Sequence, residues 1–354
     1  MIVTSLEQSE MRPAPAASGR PDGGASMRGT RTALGYGVAT ALMLISPLLV
    51  FAPAALFQCA LRNGRRVAWG AFTVAVILTA GYFIQVANVS TALASSRMAY
   101  ASLAALVLSI AVPSMAALPL VERGQPFGTV LMFALTGSAV GLGLTEVLMR
   151  TVAGFSPFAI QVAQAREMSA RIVAFYRDNN ARPDLVRGVE GWMESAMQVL
   201  PAWILIDFSL IFVLSLMMVG RLKSWRTFAA NRTVVDQAER SYLFRHLSLP
   251  EWLLFGFVFG GITPLATGSP RLVAANVLAV VVFLYLMQGL AVFRFMLVKA
   301  GAGAVGTIFG FILLALLCIT GLGLFLLAIA GLFDPFFDFR KLKRKDDSHE
   351  SHTD

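Results

Sequence analysis

Hydrophobic positions in this chain gather into long runs, and the polar positions lie between them and at the two ends. The runs cover 33–61, 67–87, 99–121, 127–149, 202–220, 251–267, 272–298 and 304–333. A helix rises 1.5 Å per residue, so about 20 apolar residues cross a hydrocarbon core of about 30 Å. The pattern therefore predicts an all-α fold, a polytopic transmembrane bundle of about eight segments. The first run is broken by Pro47 and Pro53, each of which removes a helical hydrogen bond. It reads either as one kinked span or as two half-helices folded back as a hairpin. Non-helical backbone at that depth needs protein or a water-filled cavity around it. The last run is about 43 Å long as a single helix and would have to tilt or enter the interface.

Between 155 and 200 the pattern changes. Phe158, Val162, Ala165, Met168, Ile172 and Tyr176 recur at steps of three and four, while Arg166, Glu167, Arg171 and Asp178 take other faces. Leu185, Val189, Trp192, Ala196 and Leu200 repeat the pattern beyond DNNARP. Two amphipathic helices follow from this, either lying at the interface or forming a lid over a binding site. Residues 1–32 are rich in Pro, Gly, Ser and Ala without an apolar run, and 343–354 are polar, so both read as disordered tails. The expected organisation is one transmembrane helical domain over 33–342, with the amphipathic insertion 155–200 and a basic loop 221–250. The N-terminal stretch lacks the order of a signal peptide. Met11 and Met27 are alternative starts, and N-terminal peptide mapping distinguishes Met1 from Met27 as the true one.

Composition agrees with the runs. Apolar residues make up 57% of 354 and charged residues 14%, with a mean hydropathy of +0.71. A soluble chain carries about 25% charged residues to solvate its surface. The net charge of +9 lies between the runs and in the tails, as in a membrane protein with basic cytoplasmic loops, so no nucleic-acid partner is expected. The expected setting is the lipid bilayer of a bacterial inner (cytoplasmic) membrane, crossed several times. Sidedness stays open at this point. With eight spans, the basic C-terminus sits inside, but RNGRR (62–66) and 221–250 fall outside. A hairpin in the first run reverses all three.

Few residues offer chemistry. Cys59 and Cys318 lie inside apolar runs, and two of the three His are in the C-terminal tail. No metal site, cofactor site, P-loop or nucleophile-plus-base set can be assembled, so no catalytic residues are expected and an enzyme is disfavoured. GAGAVG (301–306) has no strand before it and is not a nucleotide loop. Polar groups inside the runs are the candidate intramembrane site: Asp207, Gln288, Tyr285, Asn276 and Glu146. A carboxylate at mid-span costs about 2.5–3.5 kcal/mol, so Asp207 should face the bundle and either anchor a ligand or coupling ion or hydrogen-bond between helices. Gln288 is either glue between helices or a solute contact. Glu146 and Arg150 are spaced for an i,i+4 pair.

Three stretches carry a family resemblance. LPEWLL (249–254) opens a span, FLYLMQGLAVFRFML (283–297) holds Tyr285, Gln288, Gly289, Leu290 and Ala291, and GLFDPFFDFRKL (331–342) closes the last span. They resemble the YybS-like predicted bacterial membrane proteins, the domain of unknown function 2232, over about 33–342. Phe336 stands where the family pattern has Trp, and Arg294 where many members have His. Asp334, Asp338, Arg340 and Gly289 are the motif residues, and the closing motif reads either as an aromatic interfacial anchor or as a partner-docking element. The family is similar to substrate-capture subunits of energy-coupling-factor transporters and to the rod-shape protein MreD. That implies a small-molecule solute among the helices and a membrane partner protein, docked through small residues on the first helix; Gly35, Gly37, Ala39 and Ala41 have that spacing. Two functions follow: a transport-type bundle that binds a small solute, or a non-catalytic membrane scaffold recruiting partners, for example in envelope growth.

Overall fold

The computed structural model describes residues 23–89, 93–179, 181–230, 242–261, 265, 267–337 and 339–340. All regular elements among them are helical. The helices are α1 (Gly23–Leu44), α2 (Ala52–Asn63), α3 (Arg65–Val89), α4 (Leu93–Leu106), α5 (Val112–Glu122), α6 (Phe127–Val152), α7 (Pro157–Asp178), α8 (Pro183–Gln198), α9 (Leu200–Arg221), α10 (Lys223–Ala230), α11 (Leu253–Gly261), α12 (Ser269–Lys299), α13 (Ala304–Ile319) and α14 (Leu322–Phe337). α1 begins at Gly23, inside the stretch that composition marks as a tail; helix propagates from the apolar run into Ser, Met and Thr positions that tolerate it.

Five helical segments among the described residues are long and apolar enough to cross a membrane, and a sixth is counted if α13 and α14 are one broken span. The expected eight are therefore not all present as simple spans, for local reasons. The first run is a hairpin. Ser46 accepts from the N–H of Leu48 and caps a 3-10 turn at Pro47–Phe51, from which α2 doubles back. At 12 residues α2 is about 18 Å long, too short to cross alone. The freed carbonyl of Val50 takes the hydroxyl of Ser215 on α9 at 2.6 Å, so the broken backbone is covered by protein. α1 lies parallel to α3: a Cβ on Gly37 would sit 2.6 Å from Val74, and one on Gly70 3.2 Å from Ala33. The run 251–267 is helical over Leu253–Gly261, with 262–264 and 266 outside the described residues. The last run is bent by 110° between α13 and α14, where Gly321 takes φ +77°. The bend divides the long run into two shorter helices.

α4 and α5 form one span through a π-helical segment at Val107–Ala111. Pro113 has no N–H to give the Ser109 carbonyl, and Ser138 of α6 donates to it instead at 2.6 Å. Beside it, a Cβ on Gly141 would lie 2.1 Å from the Leu108 carbonyl oxygen, so α6 passes directly over the bulge. Ser138→Ala should cost about 1–2 kcal/mol, because it removes a buried hydrogen bond between α6 and the π-helical segment. Melting of the detergent-solubilised protein measures this; an unchanged midpoint would mean that the helix re-forms without the hydroxyl.

The contacts also order the two ends of the bundle. Arg65 pairs with Glu122 at 2.5 Å, the Tyr242 hydroxyl donates to the Gln125 carbonyl at 3.1 Å, and Arg340 donates to the Leu247 carbonyl at 2.9 Å. RNGRR, the described parts of 221–250 and the first residue of RKLKRK thus share one end. Neither topology derived from charge counting allows this, because both take the last run as a single crossing, and it is bent. A hairpin at the start and a bend at the end satisfy all three segments together.

The core joins these elements through small and aromatic residues. Trp225, Tyr242 and Leu247, all from the basic loop, are fully buried. The Tyr242 ring packs on Trp225 at 4.6 Å and on Phe127 at 6.1 Å. Burial pushes the Tyr242 phenol up, so it remains a donor at any ordinary pH. The loop read from its charge is therefore an anchored strap at its described ends. Residues 231–241 lie outside the described residues.

Candidate functional site

The three motif stretches meet at one place. Gln288 on α12 is fully buried and uses both ends of its amide. Its Oε1 accepts from the N–H of Leu249 at 3.1 Å, and its Nε2 donates to Oδ2 of Asp334 on α14 at 3.0 Å. Asp334 is held bidentately by Arg340, whose Nε donates to Oδ1 at 3.2 Å and whose Nη2 donates to Oδ2. The Arg340 Nη1 then donates to the carbonyls of Arg245 and Leu247 at 3.0 and 2.9 Å. Asp334 and Arg340 are about as buried as Gln288, at 4% and 3% exposure. A charge pair this deep is tolerable only when its polar atoms are partnered, and here every guanidinium nitrogen and both carboxylate oxygens have a partner. The group closes α14 and the chain that follows it onto the 242–250 strap.

Two glycines make the approach possible. A Cβ on Gly289 would lie 1.8 Å from the Leu327 carbonyl oxygen, and one on Gly331 1.9 Å from the Tyr285 carbonyl oxygen. α12 and α14 thus cross with backbone against backbone. Gly331 was not singled out by sequence reading. Its place three residues before Asp334 in the closing motif was the available signal, because a small residue one helical turn from a buried carboxylate marks a close crossing. Tyr285 is buried beside the crossing, its ring edge-on to Phe257 at 6.2 Å. Asp338 lies outside the described residues.

A separate feature opens at the opposite end. A cavity of about 1050 Å³ lies among α6, α7, α8, α9, α11 and α12. Leu135, Leu205, Leu253, Val277, Val281 and Leu284 are among its walls. Its polar lining residues are Arg166, Glu194, Gln198 and Asn276, all toward α7, α8 and the start of α12. Asn276 is spent on structure. Its Oδ1 accepts from the Ala202 N–H at 2.9 Å, satisfying a free donor in the first turn of α9, and its Nδ2 donates to the carbonyls of Gln198 and Leu272 at 3.0 and 2.8 Å. α7 and α8 are the two helices of the stretch whose spacing predicts amphipathic helices, and the Arg177–Glu190 ion pair joins them.

A family model described as "Predicted membrane protein (DUF2232)" matches residues 38–335. The chain belongs to the DUF2232 family. No curated protein and no solved structure matches it. The description places this DUF2232 protein in a membrane and assigns no activity.

The remaining candidates scatter over the bundle. Glu146 accepts from the Phe158 N–H at 3.1 Å, from the Ser156 hydroxyl and from Arg150 at 2.5 Å. It therefore caps α7 and holds the α6–α7 turn, at the edge of a second cavity of about 580 Å³. Asp207 is exposed on the outer face of α9, on a stripe with Trp203 and Leu214. The five polar candidates thus do not converge: only Asn276 lines the large cavity. Gly37 of the DUF2232 first helix is packed against α3 and Ala41 is buried, while Gly35 faces open space. The closing motif of this DUF2232 chain divides by depth. Asp334 and Arg340 turn inward, while Phe333, Phe336, Phe337 and Phe339 are exposed, with Phe337 stacked on Phe339 at 5.7 Å. The aromatic part has the form of a headgroup-level belt. Among the described residues, no group of three or more His, Cys, Asp and Glu comes together.

Proposed function

We propose that this protein is a non-enzymatic, transport-type membrane bundle that binds a small solute in the cavity under α7 and α8 and works with a partner or a coupling ion. The cavity carries the reading. It is large for a ligand pocket, which ordinarily spans roughly 300–1,000 Å³, and it sits between spans and beneath a pair of amphipathic helices that can act as its lid. The basic end formed by RNGRR and the described ends of 221–250 then faces the cytoplasm of a bacterial inner membrane, where positive loops are retained. Val277→Trp fills the cavity from α12. Purified full-length protein in nanodiscs should release a small molecule to mass spectrometry, and the Val277→Trp protein, melting at the same temperature, should release none. If wild type and variant give the same spectra, the solute reading fails.

One observation favours a scaffold role beside this. A carboxylate on the outer face of a span is costly against lipid, and Asp207 stands there. A partner helix that offers a donor at that depth would relieve the cost. Asp207→Asn should leave the melting midpoint within about 0.5 kcal/mol of wild type, as for surface positions, and reduce co-elution of a membrane partner from native membranes. An identical set of co-eluting proteins would remove the reason to place a partner on α9.

A further inference from the structure

We infer that the cavity's ligand is an amphiphile with a net-neutral, zwitterionic head, its apolar body lying among α6, α9, α11 and α12 and its head at α7 and α8. The inference rests on the solute-binding reading and names its class. The reason is the way polarity is distributed along the cavity. The walls contributed by Leu135, Leu205, Val277, Val281 and Leu284 offer nothing to a polar solute. Burying an unpaired amide or hydroxyl against such walls is unfavourable, because water's hydrogen bonds are lost and nothing replaces them. Asn276 would be the natural contact for a polar molecule, but both its amide ends are already committed to Ala202, Gln198 and Leu272. A compact polar metabolite therefore has no partner in the depth of the cavity, whereas an alkyl or isoprenoid body fits it without loss.

The other end has the opposite character. Arg166 on α7 and Glu194 on α8 both line the cavity. Both are exposed and neither belongs to the Arg177–Glu190 pair that joins the two helices, so a cation and an anion stand at the mouth. Their charges cancel, which disfavours a head of either net sign and suits one that carries an anion for Arg166 and a cation for Glu194. Amphipathic α7 and α8 place that mouth at the level where headgroups lie. The same chemistry is available from a bilayer phospholipid or from a single-chain amphiphile delivered from outside the membrane, and the two are separable by experiment.

The test uses the full chain in nanodiscs of an uncharged diacyl glycolipid and a fluorescent nitrobenzoxadiazole-acyl lysophosphatidylethanolamine as probe, with the corresponding lysophosphatidylglycerol as the anionic comparison. The zwitterionic probe should bind saturably, be lost in Val277→Trp, and be preferred by about tenfold, equivalent to about 1.4 kcal/mol. Glu194→Arg, at an exposed position, should reverse the preference toward the anionic probe. The combined exchange Arg166→Glu with Glu194→Arg should restore the zwitterionic preference. Displacement of bound probe by added phosphatidylethanolamine in the nanodisc would identify a bilayer source, and resistance to it an external one. Should neither probe respond to Val277→Trp while a water-soluble molecule still co-purifies with wild type and is lost in that variant, the amphiphile is wrong and the solute reading stands. Equal binding of both probes that Glu194→Arg does not change overturns the zwitterionic head. If Val277→Trp alters no bound molecule of any kind, both readings fall.

Discussion

Asp334→Ala should destabilise the protein by about 3–5 kcal/mol. The carboxylate is the centre of the group that joins Gln288, Arg340 and the 242–250 strap. Its removal strands the Arg340 guanidinium at 3% exposure with only carbonyl partners, and leaves the Gln288 amide without an acceptor. Arg340→Ala should cost a similar amount for the reciprocal reason. Replacing both by apolar residues of like volume, Asp334→Leu with Arg340→Met, should cost much less than either truncation, because no buried charge is then left unpaired. Unfolding in mixed micelles measures all three. If the double replacement is as unstable as the sum of the two truncations, the pair stabilises by attraction rather than by mutual satisfaction. A loss below about 1 kcal/mol for Asp334→Ala would mean that the site is wet, as an exposed pair would be.

The second large effect is steric. Gly331→Ala should cost about 3 kcal/mol, the upper part of the range for overpacking, and Gly331→Leu should prevent α14 from closing on α12. The atom added would meet the Tyr285 carbonyl at 1.9 Å, a backbone group within a continuous helix that cannot rotate away as a side chain would. Gly289→Ala should behave alike, with the Leu327 carbonyl at 1.8 Å. Gly35→Ala and Gly81→Ala, where a Cβ meets nothing within 4 Å, are the controls and should be neutral or slightly stabilising. Cysteine cross-linking between α12 and α14 adds a structural readout to the melting curve. Wild-type stability in Gly331→Ala would show that the two helices do not cross at the distance seen here.

These two sites also mark how far the sequence could be read. The closing motif and the Gln288 stretch were recognisable one by one, since each is a compact local pattern. That they contact each other was not, because 46 residues separate Gln288 from Asp334 and nothing in either stretch specifies the other. Gln288 could be read only as glue or solute contact: a neutral amide at mid-span serves both, and the position of Leu249 and Asp334 decides for glue. The reading of Asp207 went the other way. Cost arguments turned it toward the bundle, yet the face it occupies is set by which side of α9 meets α6, α12 and the first hairpin, and it lies on the outside. Arg166 was legible as a polar position on an amphipathic helix, and Glu194 lies in the second such helix, but neither was tied to a cavity. A cavity is a gap between six helices and has no signature in any one of them.

Hydropathy by itself determined membrane residence, the all-α class and most of the spans, because the cost of exposing backbone and polar groups to hydrocarbon acts residue by residue along the chain. Tertiary structure alone decided the shape of the first and last runs, the gathering of the basic segments at one end, the Gln288–Asp334–Arg340 group and the cavity beneath α7 and α8. Each of these depends on which helix faces meet, and helices without a hydrophobic drive between them choose their faces by close packing and by pairing polar groups across long stretches of chain.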